Sequence, residues 1–203
     1  MDSDCAFCDR TKFEERIIGE DKNFWIIATL GQITDGGYTL LVPKKHIPCI
    51  GAMGFKEIEH FEDLAKRIRL ALSVEYGIWP VNFFEHGIVG QTIKHAHIHF
   101  VPENWQITER ILKDFPEKFI NLHSWLELQF LYTVKPEPYI LWLDSREEII
   151  KVYWNPPAPL QYLRIVIAEA LGRPERADWR NMDPELDKKL WIETVIRLKP
   201  YFR

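Results

Sequence analysis

Histidine alternates with small or apolar residues between His95 and Val101, and this alternation constrains the fold more than any other feature of the sequence. Side chains of a β-strand point to opposite faces in turn, so His95, His97 and His99 share one face. Neighbouring histidines are then about 6 to 7 Å apart, close enough for one small reacting group to touch two imidazoles. Three imidazoles buried as filler would leave polar atoms to satisfy. The pattern therefore predicts a strand over residues 93–101 with a chemical role.

Two kinds of chemistry fit three histidines on one strand. Two or three of them could hold a catalytic Zn²⁺ with a bound water. Alternatively, one imidazole is a nucleophile and its neighbours position a phosphate. Gly90, Gln91 and Thr92 come just before the strand and suit phosphate oxygens. The strand contains no Asp or Glu that could activate a water, so the residues favour the nucleophile by a modest margin.

The three cysteines suggest a metal half-site. Cys5 and Cys8 have C-x-x-C spacing, and Cys49 leaves the count odd. A redox pair is expected between a strand and the helix of a βαβ unit, but this pair lies at the N-terminus with no strand before it. A chain without export signals is also a poor candidate for a structural disulfide. Metal binding is therefore the favoured interpretation.

Periodicity predicts the other elements. Strands are expected at Phe24–Ala28, 38–42 and 81–85, and a helix with apolar steps of three and four runs from Phe55 to the neighbourhood of Gly77. A hairpin is expected over residues 136–154, with strands at 139–143 and 149–153 and a turn at 144–146. A helix follows at about 160–171, and a last helix begins with Asp183 as N-cap.

Composition excludes several classes of protein. The 203 residues carry a formal net charge of −4, and 46% are apolar against 28% charged. This balance argues against a nucleic-acid-coating surface or a polybasic membrane patch. No apolar run approaches the roughly 20 residues needed to cross a bilayer, and the acidic residues 1–4 are unlike a signal peptide. We therefore expect a cytoplasmic protein with no membrane or nucleic-acid partner.

The strand and its surroundings resemble the histidine triad (HIT) family of nucleotide hydrolases and transferases. His95–Val101 matches the signature His-φ-His-φ-His-φ-φ, where φ is a hydrophobic residue. The resemblance extends to residues 90–92, to residues 41–47 (Leu-Val-Pro-Lys-Lys-His-Ile) and to the opening Cys-Ala-Phe-Cys at residues 5–8. These segments occur in the family's order and span residues 5–105, about half of the chain.

The resemblance implies specific roles. His97 matches the nucleophile that attacks the α-phosphorus and forms a nucleotidyl-histidine intermediate. His99 matches the histidine that contacts the phosphate and can protonate the leaving group. Gln91 and Thr92 match phosphate-binding positions. A nucleotide substrate and a homodimer are likewise what the resemblance implies.

The resemblance also implies a zinc site. In the zinc-bearing members the ligands correspond to Cys5, Cys8, His46 and His95. A closed set of two sulfurs and two nitrogens makes such a zinc structural. Cys49 is either a substitute ligand or a small buried residue, and the second interpretation is favoured.

Several positions depart from the family pattern, and they affect nucleoside recognition. Tyr38 replaces a histidine, Leu30 replaces the acidic or amide residue that holds the ribose hydroxyls, and Phe84 replaces a polar residue. Glu85 either takes over ribose binding or is a solvated carboxylate at a strand end. Phe7 either lines the base pocket or packs in the core, and the core is favoured.

The predicted fold is α+β: a HIT-like antiparallel sheet with one main helix, followed by a C-terminal extension of a hairpin and helices. Residues 1–108 are expected to form the catalytic domain, and residues 109–203 an extension packed on it. The predicted function is cleavage of a nucleoside 5′-phosphate linkage through His97. The alternatives are a nucleotide-binding module without turnover, which predicts thermal stabilisation by ligand and no product, and a zinc-dependent hydrolase.

Overall fold

The computed structural model describes residues 5–144 and 148–203. Within them eight strands form one sheet, and the strands are β1 Ile17–Glu20, β2 Phe24–Ala28, β3 Thr39–Pro43, β4 Asn82–Gly87, β5 Ile98–Val101, β6 Ile120–Leu122, β7 Tyr139–Leu143 and β8 Ile150–Trp154. The α-helices of the described residues are α1 Phe55–Tyr76, α2 Thr108–Asp114, α3 Trp125–Val134, α4 Tyr162–Ala170 and α5 Pro184–Leu198. None of these helices is both long enough and apolar enough to cross a membrane.

The strands lie in the order β1-β2-β3-β5-β4-β7-β8-β6, and each pairs antiparallel with its neighbours. The predicted α+β class with a large antiparallel sheet is therefore confirmed.

Strand alternation gives the sheet two buried faces. One, the α1 face, packs Phe83 of β4 and Leu141 of β7 into a core with α1 and α3. The other, the α4 face, packs Phe84 and Trp142 against Leu163 of α4. Because consecutive residues of β4 point to opposite sides, one strand serves both cores.

The local predictions for the N-terminal half are largely confirmed. β2 has the predicted bounds, β3 is displaced by one residue, and α1 runs from Phe55 to Tyr76. Gly77 ends this helix in a left-handed conformation with φ of 68° and donates its N–H to the Ser73 carbonyl. A residue without Cβ adopts that conformation at little cost, which is why glycine is common at helix C-termini.

The predicted strand over residues 93–101 is too long. Only Ile98–Val101 is paired as β5, and the segment before it is irregular. The Ala96 N–H donates to the Ile47 carbonyl, which lies in the loop after β3 rather than in a strand. His95 and His97 therefore precede the strand, and only His99 lies within it.

The C-terminal extension continues the same sheet. β4 pairs with β7 from Phe83 opposite Leu143 to Gly87 opposite Tyr139. Strands from both sides of the predicted boundary at residue 108 therefore belong to one continuous sheet. The hairpin and both later helices are present, although Ser145 and Arg146 of the predicted turn lie outside the described residues. Asp183 caps α5 by accepting from the Leu186 N–H. The domain boundary at residue 108 stays a prediction.

Candidate functional site

The three histidines of the motif do not act on one face as the alternation predicted. His95 turns toward the N-terminal cysteines, with Nδ1 3.4 Å from the Cys5 sulfur. His97 and His99 line a cleft on the α4 face of the sheet, where their rings lie 4.8 Å apart. The triad thus divides into one residue of a Cys/His cluster and two residues of the cleft.

The Cys/His cluster has the donor atoms of a closed metal site. The ligating atoms of Cys5, Cys8, His46 and His95 all lie within 4.8 Å of one another. The Cys8 sulfur is 3.2 Å from His46 Nδ1 and 3.6 Å from His95 Nδ1. Sulfur and nitrogen ligands of a tetrahedral zinc are separated by about 3.5 Å, so the residues fit this metal.

The second nitrogen of His95 is held by the sheet. Nε2 lies 2.8 Å from the Pro43 carbonyl, which only accepts, so Nε2 carries the proton and Nδ1 offers its lone pair to the cluster. A hydrogen bond of this kind orients a metal-binding imidazole and raises its basicity.

His97 is oriented by the backbone. Its Nδ1 lies 2.6 Å from the His95 carbonyl, so Nδ1 donates and Nε2 keeps a lone pair. The Phe7 ring packs 5.1 Å from the imidazole and also lines the cleft, so both interpretations of Phe7 describe part of its position. Burial lowers the pKa of His97 to about 4, which leaves the imidazole neutral at pH 7.

His99 is oriented by two aromatic residues. The Phe84 ring stacks on the imidazole at 4.3 Å, and the Tyr38 hydroxyl lies 2.7 Å from Nδ1. The Arg164 guanidinium lies over the Tyr38 ring, with Cζ 5.4 Å from the ring centroid. The phenol is protonated because burial raises the pKa of Tyr38 to about 12, and Nδ1 is the one acceptor that its O–H meets among the described residues. We therefore assign the O–H as the donor to Nδ1, which places the His99 proton on Nε2. Burial lowers the pKa of His99 well below its ordinary value, so this ring is also neutral.

The cleft has a volume of about 270 Å³ and lies between the N-terminal segment and the C-terminal extension. Gln91 and Thr92, to which the family resemblance gives a phosphate-binding role, line it. The Gln91 amide donates to the Pro48 carbonyl, which anchors its side chain beside the cleft.

The lining of the cleft is cationic. Lys12, Arg16 and Arg164 contribute to it, and no Asp or Glu is among its lining residues in the described chain. Since the whole chain has a net charge of −4, this local excess of positive charge is a feature of the site. Such a lining attracts anions.

Several lining residues were not predicted from the sequence. His86 accepts from the Leu163 N–H at the start of α4, and burial lowers the pKa of this imidazole to about 3. Gln161, Arg164 and Trp179 come from the C-terminal extension. No local motif marks these residues, because tertiary packing alone brings the extension over the histidines.

Both interpretations of Glu85 are wrong. Its side chain is fully buried on the α1 face, opposite to the cleft, where it accepts from the Ile50 N–H at 2.8 Å and from the Tyr139 hydroxyl at 2.7 Å. Burial raises the pKa of this carboxyl to about 8. Cys49 is also fully buried in the α1 core, outside the Cys/His cluster, as a small buried residue would be.

Comparison with known proteins identifies the family. No family model matches the chain. An uncharacterized HIT-like protein of Mycoplasma genitalium is 32% identical over 105 residues, which make up 50% of this chain and 74% of the relative. The chain belongs to the HIT family.

Solved HIT structures resemble part of the chain. A HIT family protein from Bacillus anthracis has 26% identity and a TM-score of 0.46, with 50% of this chain and 74% of that chain covered. A zinc-bound histidine triad family protein from Mycobacterium smegmatis has 26% identity and a TM-score of 0.44, with 49% and 75% covered. Membership in the HIT family supports a role in nucleotide binding or hydrolysis.

Proposed function

We propose that this HIT protein cleaves a nucleoside 5′-phosphate linkage, NMP–X, through a nucleotidyl-histidine intermediate on His97. The substrate class comprises dinucleoside polyphosphates, nucleoside phosphoramidates and related compounds. Transfer to water makes the protein a hydrolase, and transfer to phosphate or a sugar phosphate makes it a nucleotidyltransferase.

One observation carries the proposal: the two histidines of the cleft hold complementary tautomers. Nδ1 of His97 donates to the His95 carbonyl, so its Nε2 has the lone pair that a nucleophile needs. The Tyr38 hydroxyl fixes the opposite tautomer of His99, whose Nε2–H is a donor for a phosphate oxygen. Both side chains line a cleft with three cationic residues.

The reaction follows from these roles. His97 Nε2 attacks the α-phosphorus, an N–P bond forms, the P–X bond breaks, and X departs with the bonding electron pair. The His95 carbonyl stabilises the positive charge that the imidazole acquires in the adduct. Because His99 is neutral, we assign it the donation of a hydrogen bond to phosphate, together with Gln91 and Thr92. Water or another acceptor then attacks phosphorus, the N–P bond breaks with its electron pair returning to Nε2, and the nucleotide product leaves. When the acceptor is water, its proton passes to solvent, and His97 is regenerated as the neutral imidazole.

We also propose that Cys5, Cys8, His46 and His95 bind a structural zinc. A bound zinc would cross-link the N-terminal segment to the residue that carries the carbonyl partner of His97. In this assignment Nδ1 of His95 binds zinc beside Cys5 and Cys8, outside the cleft. His95 then cannot join His97 and His99 around a water-activating zinc, which disfavours the zinc-dependent hydrolase.

The proposed domain organisation is a catalytic part, residues 1–108, with the extension 109–203 packed on it. The homodimer and the cytoplasmic location stay predictions from the sequence.

The experiment is a turnover assay with adenosine and guanosine dinucleoside polyphosphates and phosphoramidates. Native protein is compared with His97→Ala and with His123→Ala, a control in which an exposed histidine outside the cleft is removed. We expect native and His123→Ala proteins to release nucleotide, and His97→Ala to lose at least about a hundredfold in kcat. Binding of these compounds without any product would instead identify a nucleotide-binding module.

A further inference from the structure

Three residues that line the cleft each carry a buried side-chain polar atom with no hydrogen-bond partner among the described residues. The atoms are Oγ1 of Thr29, Nε2 of His99 and Oε1 of Gln161. A buried polar group without a partner costs about 1 to 3 kcal/mol, so such atoms are rare in folded proteins. Because the three residues line the same cleft, a molecule bound there can supply the missing partners.

The orientation of Gln161 is determined by its own contacts. Its backbone N–H donates to the Gly90 carbonyl, which places the residue beside the loop that carries Gln91. Its side chain lies close enough to the Asp178 carboxylate to lower the pKa of that group, which is the interaction expected of an amide N–H with a carboxylate. The unpartnered atom is the carbonyl oxygen, which requires an O–H or N–H group from the ligand.

The C-terminal extension and Thr29 lie at the same end of the cleft. Trp179 packs directly against Gly31. A Cβ added at Gly31 would be 2.3 Å from the Trp179 Cβ, so this contact leaves no room for a side chain at residue 31. Arg164 donates to the Gly31 carbonyl and binds the same loop to α4. Thr29 is two residues before this contact, and its side chain is almost completely buried. The intervening Leu30 lines the cleft but has no polar group.

The residues that line the cleft are complementary to three kinds of chemical group. The cationic residues and His99 Nε2–H suit an anion, such as a phosphate. Thr29 Oγ1 and Gln161 Oε1 suit hydroxyl groups. The rings of Phe7, Phe13 and Trp179 offer apolar surface to a flat group. A ribonucleotide combines the three features.

We propose that Thr29 and Gln161 hydrogen-bond the ribose hydroxyls of the substrate, with Trp179 packed against the nucleoside, so that the C-terminal extension makes the protein selective for ribonucleotides over deoxyribonucleotides. This inference rests on the proposed function for the identity of the ligand as a nucleotide. It assigns to residues 161–179 a direct part in substrate recognition.

The test measures equilibrium binding, which does not require turnover. Calorimetric titrations of native, Thr29→Val and Gln161→Met proteins use AMP and GMP, each beside its 2′,3′-dideoxy analogue. Because Gln161 has a φ of 62°, Gln161→Asn is a second variant, in which a shorter amide tolerates the left-handed conformation. Gln106→Met is the matched control, since this glutamine is exposed outside the cleft.

We expect native protein and Gln106→Met to bind the ribonucleotide at least about tenfold more tightly than its dideoxy analogue. In Thr29→Val, Gln161→Met and Gln161→Asn this ratio falls toward one, while the affinity for the dideoxy analogue is retained. The proposal is overturned if native protein binds the ribonucleotide and its dideoxy analogue equally well. It is also overturned if the variants keep the native ratio of the two affinities.

The two proposals fail in different ways. Ribose discrimination without turnover of any NMP–X compound overturns the proposed reaction and supports the recognition by Thr29 and Gln161. Turnover without ribose discrimination supports the proposed reaction and overturns the recognition by Thr29 and Gln161.

Discussion

The Tyr38 hydroxyl lies 2.7 Å from Nδ1 of His99, and both groups are buried beside the cleft. Tyr38 stands where the family resemblance places a histidine, so this chain orients its third triad histidine with a phenol. Burial raises the pKa of Tyr38 to about 12, which keeps the hydroxyl protonated and able to donate. The tautomer of His99 therefore depends on a single hydrogen bond.

Tyr38→Phe tests this dependence. Removal of the hydroxyl leaves Nδ1 of His99 without its partner, and the ring is then free to carry its proton on either nitrogen. We expect kcat to fall about tenfold or more with a small change in KM, and the free energy of unfolding to fall by about 1 to 3 kcal/mol. Steady-state kinetics and denaturant unfolding measure the two effects.

The control for this variant is Tyr201→Phe, which removes a surface phenol that bonds Glu75 far from the cleft. It should leave kcat unchanged. Equal loss of kcat in the two variants would show that the Tyr38 hydroxyl has no special relation to His99.

The Cys/His cluster predicts about one zinc per chain in protein prepared without chelator. Cys8→Ser should lose the metal, and the free energy of unfolding should fall by about 3 kcal/mol or more because metal binding contributes to folding. Elemental analysis and thermal unfolding measure both effects. Cys49→Ala is the matched control, since Cys49 lies outside the cluster, and it should keep its zinc. A Cys8→Ser protein with native stability and no activity would contradict the structural role.

Glu85 predicts a pH dependence of stability. Its pKa is about 8 in the folded protein against 4.5 for the ordinary side chain, so the folded state holds a proton that the unfolded state releases. The contribution of the protonated carboxyl to the free energy of unfolding is complete below pH 4.5. It is lost as pH rises from 4.5 to 8, because the unfolded state releases the proton first. Relative to Glu85→Gln, native protein should lose about 3 kcal/mol between pH 5 and pH 8.

Denaturant unfolding at several pH values compares native protein with Glu85→Gln. The neighbouring Cys49 thiol has a pKa raised to about 12 by burial and by the Glu85 charge, so it stays neutral over this range. A parallel pH profile for the two proteins would show that Glu85 is ionised in the folded state. Glu57→Gln, at the exposed start of α1, is the control and should follow native protein.

Much of the fold follows from local sequence pattern. α1 is predicted by its apolar steps and by Gly77, and the cap of α5 by Asp183, because these features act within a few residues. The triad strand is overpredicted for a physical reason. Residues 95–97 are buried like those of β5, but the Ala96 N–H bonds the Ile47 carbonyl of a loop and no neighbouring strand pairs with them.

The site is predictable where a motif marks its residues, as for the Cys/His cluster, whose members come from three motif segments and meet in the structure. The roles suggested for His97 and His99 depend on residues adjacent in sequence, and the structure places both in the cleft. Glu85 was misjudged because strand alternation shows that neighbours diverge but not which face the cleft occupies. Gln161 and Arg164 are at least 60 residues from the motif, and only the packing of α4 on the sheet brings them to it.

Truncation after Trp105 tests how far the catalytic part depends on the extension. The fragment would lose β7, leaving the edge of β4 unpaired, and would expose Phe84 and Tyr38, which pack in the same core as Trp142. We expect an insoluble or partly unfolded product, judged by circular dichroism and gel filtration. A folded, active fragment would show instead that the extension is an accessory.

Intact-protein mass spectrometry after brief incubation with a dinucleoside polyphosphate tests the central claim most directly. The account predicts an acid-labile mass increase of one nucleotidyl group, a nucleoside monophosphate less one water, on native protein and on His123→Ala, with none on His97→Ala, and release of free nucleotide in the same samples. If His97→Ala released nucleotide at the native rate, or carried the same adduct, His97 would not be the nucleophile.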